Sequence, residues 1–407
     1  MNTPHTHHAA EPHPAAGPRT VSWTEDDGEH TARWRSESGA PPPARLVVAD
    51  DRLPADTAYR LVCEGTGLLW RGDFHGARNL LQALARRVDR GPRRRRRTPP
   101  AAPAAGAAGD PRQAFHLHRK AQAERARKLG MLLVPLDAGY VIPLRRAPEV
   151  RAACTAAYGP GDAPSVVSLR ELTGLIGAYE WQRNGVAVPA LGGDRVHPRY
   201  GVFSPVRGEY VDLVAEAPLP AGTDTAFDIG TGTGVLAAVL ARRGVRRVVA
   251  TDQDPRALAC ARENLDRLVP GDRVEVVAAD LYPAAEAGRA HLVVCNPPWL
   301  PGRPSSPVEY AVYDPGSRML LGFLDGLAER LAPGGEGWLI ISDLAERLGL
   351  RSRDELLGAF DRAGLAVAGR HDTRPRHPRA FDPADPLHTA RAAEVTSLWR
   401  LTPRRVR

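Results

Sequence analysis

The chain has 407 residues, of which 43% are hydrophobic and 25% are charged. At roughly 100–200 residues per domain, this length predicts two or three domains with sizeable apolar cores. The apolar runs are far shorter than the about 20 residues that span a bilayer, and the first twenty residues lack the apolar segment of a secretory signal. We therefore expect a cytoplasmic protein with no membrane partner.

The spacings of the cysteines and histidines favour neither a disulfide-stabilised domain nor a zinc-binding domain. No two cysteines form a CxxC pair, which argues against a disulfide framework or a structural zinc site and favours reduced, mostly buried thiols. His116 and His118 could form a ligand pair, but companion ligands are not apparent and a surface helix is the better interpretation. The cysteines are Cys63, Cys154, Cys260 and Cys295.

The formal net charge of +8 comes from one segment. Residues 91–130 contain 11 basic and 2 acidic residues, so the rest of the chain is close to neutral. The run Arg93–Arg97 could attract the phosphates of a nucleic acid, or it could belong to a solvated linker, since blocks of like charge are commonly disordered.

Composition divides the chain into three parts. Residues 1–44 are polar and rich in proline, and we predict a disordered tail. Residues 45–90 and 111–192 suggest an α+β accessory region, interrupted by a basic, Pro- and Ala-rich linker over 91–110. Residues 196–407 are predicted to form one catalytic domain.

Periodicity and turn residues give a coarse outline of the accessory region. Its predicted elements are a strand at 46–48, a helix capped by Asp73, a charged helix over 112–129, a hairpin of residues 131–136 and 141–144, and a helix opened by a capping box of Ser168 and Glu171.

In the C-terminal part, strands alternate with helices, which is typical of a mostly parallel sheet in an α/β domain. Helical patterns follow the first five strands. We predict a Rossmann-like, seven-stranded sheet whose strands lie at 226–229, 247–251, 274–278, 292–295, 337–341, 366–370 and 395–401.

A glycine-rich segment joins the first of these strands to its helix. Asp228 is followed by Gly230, Gly232 and Gly234, which permit a tight turn and a close approach of the backbone to a ligand. The aspartate precedes the glycines, whereas the dinucleotide fingerprint GxGxxG begins with glycine, and this difference argues against NAD.

The next two strands end in acidic residues. Asp252 ends the second strand about twenty residues after the glycines, where a carboxylate can accept hydrogen bonds from ribose hydroxyls. Asp280 follows the third strand and could accept from an adenine amino group. Either residue alone could be a helix cap, but three ligand-directed strand ends in register favour a nucleoside-binding site.

The fourth strand ends in Asn296-Pro297-Pro298-Trp299. Two consecutive prolines cannot continue a strand, so the chain must leave the sheet at its carboxyl edge, where open α/β sheets bind ligands. The Asn296 side chain and the Pro297 carbonyl can accept hydrogen bonds from an amino group, and Trp299 offers a flat surface for stacking.

Together these motifs resemble the class I S-adenosylmethionine-dependent methyltransferases of the amino-methylating branch, which carry an N-P-P-aromatic motif. The resemblance covers residues 197–407, and the lead-in Tyr200–Pro205 is similar to the G-V-x-x-P segment of HemK-like glutamine methyltransferases. The sequence departs from that family at Val206–Glu209 and in having Trp299 in place of tyrosine.

The resemblance implies catalytic roles for Asn296, Pro297, Pro298 and Trp299, and substrate contacts for Phe203 and Trp299. It implies S-adenosylmethionine as the cofactor and a protein or nucleic-acid acceptor, for which a translation-related molecule is a candidate. The residues implied to hold the cofactor are Asp228, Gly230, Thr231, Gly232, Gly234, Asp252, Gln253, Asp280, Leu281 and Asn296.

Three functions follow from these expectations, with a small-molecule nitrogen as a further alternative acceptor. The first is methylation of a protein glutamine, favoured by the HemK-like lead-in. The second is methylation of a nucleobase amino group in RNA or DNA, favoured by the local basic charge and by the stacking surface of Trp299. The third is a cofactor-binding protein without catalysis, which the intact Asn296 and glycines disfavour.

Overall fold

The computed structural model describes residues 19–90, 110–206, 208–304 and 307–404. These residues divide into two compact units, one made of 19–90, 127–151 and 160–172, and a second that contains the other described residues. Residues 1–18 of the predicted tail, the run Arg93–Arg97 and all but the last residue of the predicted linker lie outside the described ranges.

The strands are numbered in chain order. They are β1 (Thr20–Glu25), β2 (Gly28–Arg35), β3 (Arg45–Ala49), β4 (Thr66–Trp70), β5 (Leu132–Leu136), β6 (Ser165–Ser168), β7 (Val186–Ala187), β8 (Arg195–Val196), β9 (Thr225–Ile229), β10 (Arg247–Asp252), β11 (Val274–Ala278), β12 (Ala290–Cys295), β13 (Leu331–Ser342), β14 (Leu365–Thr373) and β15 (Thr396–Pro403).

The α-helices are numbered in the same way. They are α1 (Ala55–Cys63), α2 (Phe74–Arg90), α3 (Pro111–Leu129), α4 (Arg151–Tyr158), α5 (Leu169–Asn184), α6 (Glu209–Glu216), α7 (Val235–Arg242), α8 (Pro255–Leu268), α9 (Arg318–Arg330), α10 (Leu344–Arg347), α11 (Arg353–Arg362) and α12 (His388–Ala392). None of the helices within the described residues is long and apolar enough to cross a membrane.

The first unit is built on a six-stranded mixed sheet with the order β1-β2-β6-β5-β4-β3. Residues 20–35 form an antiparallel hairpin in this sheet, so the prediction of a disordered tail is wrong for them. Polar and apolar side chains alternate along β1 and along the second half of β2, and Val21 and Trp34 pack against the central strands. The hairpin lies at one edge of the sheet with β1 outermost, and an antiparallel pair can keep one polar face toward water.

Two further predictions for this unit fail because longer-range pairs replace local ones. Strand β5 is not paired with residues 141–144, which form no strand; it lies between β4 and β6 instead. The capping box is also absent. Helix α5 begins where predicted, but Glu171 accepts hydrogen bonds from the Glu37 amide at 2.9 Å and the Ser36 hydroxyl, while the Ser168 hydroxyl has no partner among the described residues.

The second unit begins earlier in the chain than predicted. It includes residues 110–126, 152–159 and 173–192, which composition had assigned to the accessory region. One reason is the apolar face of α3, because Phe115 is 4% exposed and packs with Leu300, Leu344 and Leu348. A helix that is mostly polar in sequence therefore carries one anchoring aromatic side chain.

A seven-stranded sheet with the order β11-β10-β9-β12-β13-β15-β14 forms the core of the second unit. The five strands from β11 to β13 are parallel, and β15 is antiparallel to both of its neighbours. This confirms the predicted Rossmann-like fold and all seven predicted strands. The chain runs outward from β9 to β11 and then returns to β12, so the switch point lies between β9 and β12.

Both faces of this sheet are covered, which explains why its central strands are almost wholly apolar. Ala226, Val248 and Val294 pack toward the cluster formed with α6, α7 and α8. Phe227, Val249 and Val293 face the opposite cluster, formed with α9 and α11. The helix predicted after β11 is absent: Pro283 and Gly288 bracket only a short 3₁₀ turn at Ala285–Ala287.

Candidate active site at the carboxyl edge of the sheet

The strand register brings three motifs together. In the parallel ladder, Ile229 of β9 is paired with Thr251 on one side and with Cys295 on the other. Gly230, Asp252 and Asn296 each follow these residues directly. The glycine loop is thus flanked by the acid and the asparagine at the switch point. The sequence predicted a common edge for these groups, and the strand order adds that the loop lies between the other two.

The loop after β9 takes a conformation that depends on its glycines. Gly230, Gly232 and Gly234 have φ of 71°, 56° and 81°, in the left-handed region where other residues are strained. The Thr231 amide donates to the Thr251 carbonyl at 2.8 Å, and the Gly234 amide donates to the Thr231 carbonyl at 2.9 Å. These bonds hold the loop against β10 and lead it into α7.

Asp228 supports this loop from below and is only 1% exposed. Its Oδ2 accepts the Thr231 hydroxyl at 2.6 Å and the Ala237 amide of α7 at 3.0 Å. Burial raises the pKa of Asp228 to about 6, although these two hydrogen bonds favour the charged form. The contacts observed for this side chain therefore fix the loop and the helix start, whereas the sequence suggested a direct cofactor contact.

Asp252 ties the end of β10 to the glycine loop. Its Oδ2 accepts the Gly232 amide at 3.0 Å and its Oδ1 accepts the Asp254 amide at 3.0 Å. Burial raises the pKa of Asp252, and the backbone hydrogen bonds oppose that rise. Since a carboxylate accepts about four hydrogen bonds, Asp252 keeps capacity for a ribose hydroxyl. Gln253, the next residue, is exposed.

The residues after β11 differ in their surroundings. Asp280 is exposed and forms an ion pair with Arg318 at 3.0 Å, at the start of α9. Leu281 has φ of 73°, an unusual value for a branched side chain, and its carbonyl accepts the Thr251 hydroxyl at 2.5 Å. The hydrogen bond from Thr251 fixes this turn to the end of β10, beside the glycine loop.

The Asn296–Trp299 turn leaves the sheet as its prolines require. Pro297 is buried, while Asn296, Pro298 and Trp299 are half-buried. The indole nitrogen of Trp299 donates to the Asn296 side-chain oxygen at 2.9 Å, a contact that the sequence did not predict. The aromatic residue therefore orients the amide as well as offering a ring.

Residues beyond the motifs complete the site. Arg351 donates to the Trp299 carbonyl and to the Ser317 hydroxyl, both at 3.3 Å, and burial lowers its pKa. Asp314, 5% exposed, accepts the amides of Met319 and Leu320 at 3.1 Å and so caps α9. Sequence reasoning missed these positions, because no motif marks them and their contacts span tens of residues.

The lead-in segment lies on the same unit. Phe203, predicted to touch substrate, packs against the cluster formed with α7, and Val202 packs with Ala257 and Cys260. The Ser204 hydroxyl is buried without a partner among the described residues. A buried hydroxyl in that state is the exception in native structures, and a bound ligand is one way to satisfy it.

The geometry fits S-adenosylmethionine on two observations. A Cβ added to Gly232 would have no neighbour within 4 Å, so the loop faces open space where a ligand can approach the backbone. The Asp252 carboxylate stands beside that loop. The glycine loop and Asp252 would hold the cofactor, which supplies an electrophilic methyl group when bound. The described residues contain no group of three or more His, Cys, Asp or Glu arranged to hold a metal ion, and the four cysteines are free.

Comparison with known proteins points to the same segment. Residues 195–347 match the family model of the methyltransferase small domain. The ribosomal protein L11 methyltransferase of Pelotomaculum thermopropionicum is 38% identical over 149 residues, covering 36% of this chain and 40% of the relative. The release factor glutamine methyltransferase of Geobacter sulfurreducens is 33% identical over 151 residues, covering 34% and 50%.

A third relative has a nucleic acid in its name. The tRNA1(Val) (adenine(37)-N6)-methyltransferase of Shewanella amazonensis is 35% identical over 109 residues, covering 26% of this chain and 46% of the relative. The chain thus spans half or less of the length of these three relatives. Residues 195–347, which match the methyltransferase small domain, contain both the glycine loop and the Asn296–Trp299 turn, and this likeness supports S-adenosylmethionine as the cofactor.

Proposed function

We propose that the protein transfers a methyl group from S-adenosylmethionine to a planar amide or amino nitrogen, with a protein glutamine as the favoured acceptor. The observation that carries this proposal is the position of Asn296, one residue beyond the ladder, beside Gly230 and in the same row as Asp252. A hydrogen-bond acceptor at that place can bind the N–H groups of a substrate amide next to the glycine loop.

The chain's own residues act by positioning. An amide or amino nitrogen is a poor nucleophile because its lone pair is delocalised. Hydrogen bonds from its N–H groups to Asn296 Oδ1 and to the Pro297 carbonyl would hold it in place and stabilise the positive charge that develops on nitrogen. Proximity and orientation supply roughly 7–11 kcal/mol in favourable cases. The HemK-like lead-in and the similarity to release factor glutamine methyltransferases support glutamine.

A nucleobase amino group is the second candidate. Two observations favour it: the similarity to a relative named for adenine-N6 methylation of tRNA, and the charge of α3, on which Arg112, Lys120 and Arg127 are exposed. Phosphate contacts of such residues would make binding fall steeply with salt.

Methyl transfer to two probes tests the proposal. The protein is incubated with S-adenosylmethionine labelled in the methyl group and with either a glutamine-containing peptide or a single-stranded oligoribonucleotide, and then with a cell extract that is digested by protease or nuclease. We expect label in the protein fraction, and a rate of labelling roughly 10²–10³ lower with the Asn296→Ala variant. Label that nuclease releases would favour the nucleobase, and cofactor binding without transfer to any fraction would favour the non-catalytic function.

A further inference from the structure

Leu300, which follows Trp299, is hydrogen-bonded to residues 312–314 on both sides of its peptide unit. The Leu300 amide donates to the Val312 carbonyl at 3.1 Å, and the Asp314 amide donates to the Leu300 carbonyl at 2.9 Å. Leu300 and Tyr313 form a parallel bridge. The chain therefore leaves the site after Leu300 and returns beside it at residue 312, so the residue directly after the Asn296–Trp299 turn is hydrogen-bonded to the returning segment.

Helix α3 packs against the return. Phe115 and Arg119 lie four residues apart and so share one face of the helix. The Phe115 ring lies 6.5 Å from the Tyr313 ring, and the Arg119 guanidinium carbon lies 4.1 Å from the centre of the Tyr313 ring. A guanidinium at this distance over an aromatic face is attracted by the ring quadrupole.

The same guanidinium also donates hydrogen bonds to two residues of the chain segment that leaves the site after Leu300 and returns at residue 312. Its Nη1 donates to Glu309 Oε2 at 3.1 Å, and its Nη2 donates to the Arg303 carbonyl at 2.8 Å. The Arg119 and Glu309 side chains are 25% and 29% exposed, so the pair is partly shielded from water. Three contacts from one planar group need the arginine fork, and lysine cannot reproduce them.

We propose that Arg119 is a positioning residue that holds the Asn296–Trp299 turn in its place by clamping the segment that pairs with Leu300. This inference rests on the proposed function only for its catalytic consequence. It gives α3, which lies outside the matched residues 195–347, a part in shaping the acceptor site. Surface ion pairs contribute little alone, but here the ion pair, a carbonyl contact and a ring contact act on one loop.

The test compares Arg119→Ala with Arg119→Lys and with Lys120→Ala, a matched control that removes an exposed charge from the next position of α3. Hydrogen exchange at the Leu300 and Asp314 amides measures how often the hydrogen bonds between Leu300 and the returning segment open. We expect exchange in Arg119→Ala and Arg119→Lys to rise about tenfold, with S-adenosylmethionine affinity unchanged by calorimetry and with Lys120→Ala equal to the parent. Methyl transfer to the probe labelled by the parent protein should lose about tenfold in kcat with little change in KM for the cofactor.

Glu309→Gln provides a milder variant, because it removes the negative charge opposite Arg119 and keeps a side-chain oxygen that can accept from Nη1. It should give a smaller rise in exchange at the same two amides. Unchanged exchange in Arg119→Ala, or full rescue by lysine, would overturn the proposal. If the parent protein transfers no methyl group, the proposed function fails while the exchange measurements still decide the role of Arg119.

Discussion

The Trp299 indole donates a hydrogen bond to the side-chain oxygen of Asn296 over 2.9 Å. The donor and the acceptor are three residues apart, and Pro297 and Pro298 between them fix the turn. An amide oxygen accepts two hydrogen bonds, so the second lone pair of Asn296 is available for an N–H of the acceptor. Trp299 is therefore an orienting residue as well as a stacking surface, and these two roles can be separated by mutation.

Trp299→Phe keeps an aromatic face and removes only the N–H donor. We expect kcat to fall roughly threefold to tenfold, because one hydrogen bond is worth about 0.5–1.5 kcal/mol, with little change in KM for the acceptor. Trp299→Ala should in addition raise that KM, since the stacking surface is lost. Steady-state kinetics on the labelled probe check both effects, with Trp181→Phe, at a residue 51% exposed on α5, as the control. Equal kinetics for Trp299→Phe and the parent would remove the orienting role.

Asn296→Ala should separate chemistry from cofactor binding. The variant leaves the glycine loop and Asp252 intact, so S-adenosylmethionine affinity should change by less than about threefold. Turnover should fall by roughly 10²–10³, the usual cost of removing one preorganised polar contact. Calorimetry and single-turnover methyl transfer give the two quantities. Methylation at a near-native rate would show that the acceptor nitrogen is held by other groups.

Gly232→Val should abolish cofactor binding by occupying the space in front of the loop. A Cβ at Gly232 has no protein neighbour within 4 Å, and its φ is 56°. Gly222 is a matched control, since its φ is 70°, its Cβ would also have no neighbour within 4 Å, and it lies in the turn before β9. Both valine variants should lose roughly 1–2 kcal/mol of stability through backbone strain. Only Gly232→Val should lose binding in calorimetry; equal affinities would place the cofactor elsewhere.

The sequence was most informative where local pattern and sheet geometry agree. Apolar runs bounded by glycine, proline and aspartate predicted all seven strands of the large sheet, because a strand covered on both faces has little choice of residue. The alignment of Gly230, Asp252 and Asn296 followed from the parallel register alone. Such inferences need no side-chain coordinates, since parallel strands end at one edge.

Contacts between distant residues were not predictable in this way. Arg119 and Glu309 are 190 residues apart, and Asp314 caps a helix through a loop that has no sequence signature. The hairpin expected at 141–144 failed for the same reason, since β5 gains more by lying between two buried strands than by pairing with its neighbour. Glu171, a good capping residue by its spacing, forms hydrogen bonds with Ser36 and Glu37 instead.

The buried carboxylate beneath the glycine loop predicts a pH-dependent stability. Burial raises the pKa of Asp228 to about 6, above the about 3.9 of an unfolded aspartate, so the folded state binds the proton more tightly. The stability contributed by this group is therefore complete below about pH 4 and is lost as the pH rises through 6. The gap corresponds to roughly 2–3 kcal/mol, less than a bare buried charge would cost, because Thr231 and Ala237 donate to Oδ2.

Asp228→Asn should remove this dependence, because asparagine stays neutral and its oxygen can still accept from Thr231 and Ala237. Urea unfolding at pH 4, 5, 6 and 7 gives the free energy of unfolding of both proteins. We expect the variant to gain roughly 2–3 kcal/mol relative to the parent between pH 4 and pH 7. Asp224→Asn, at a surface ion pair with Arg246, should show no such gain. A difference between variant and parent that stays constant over this range would show that Asp228 titrates at its ordinary pKa.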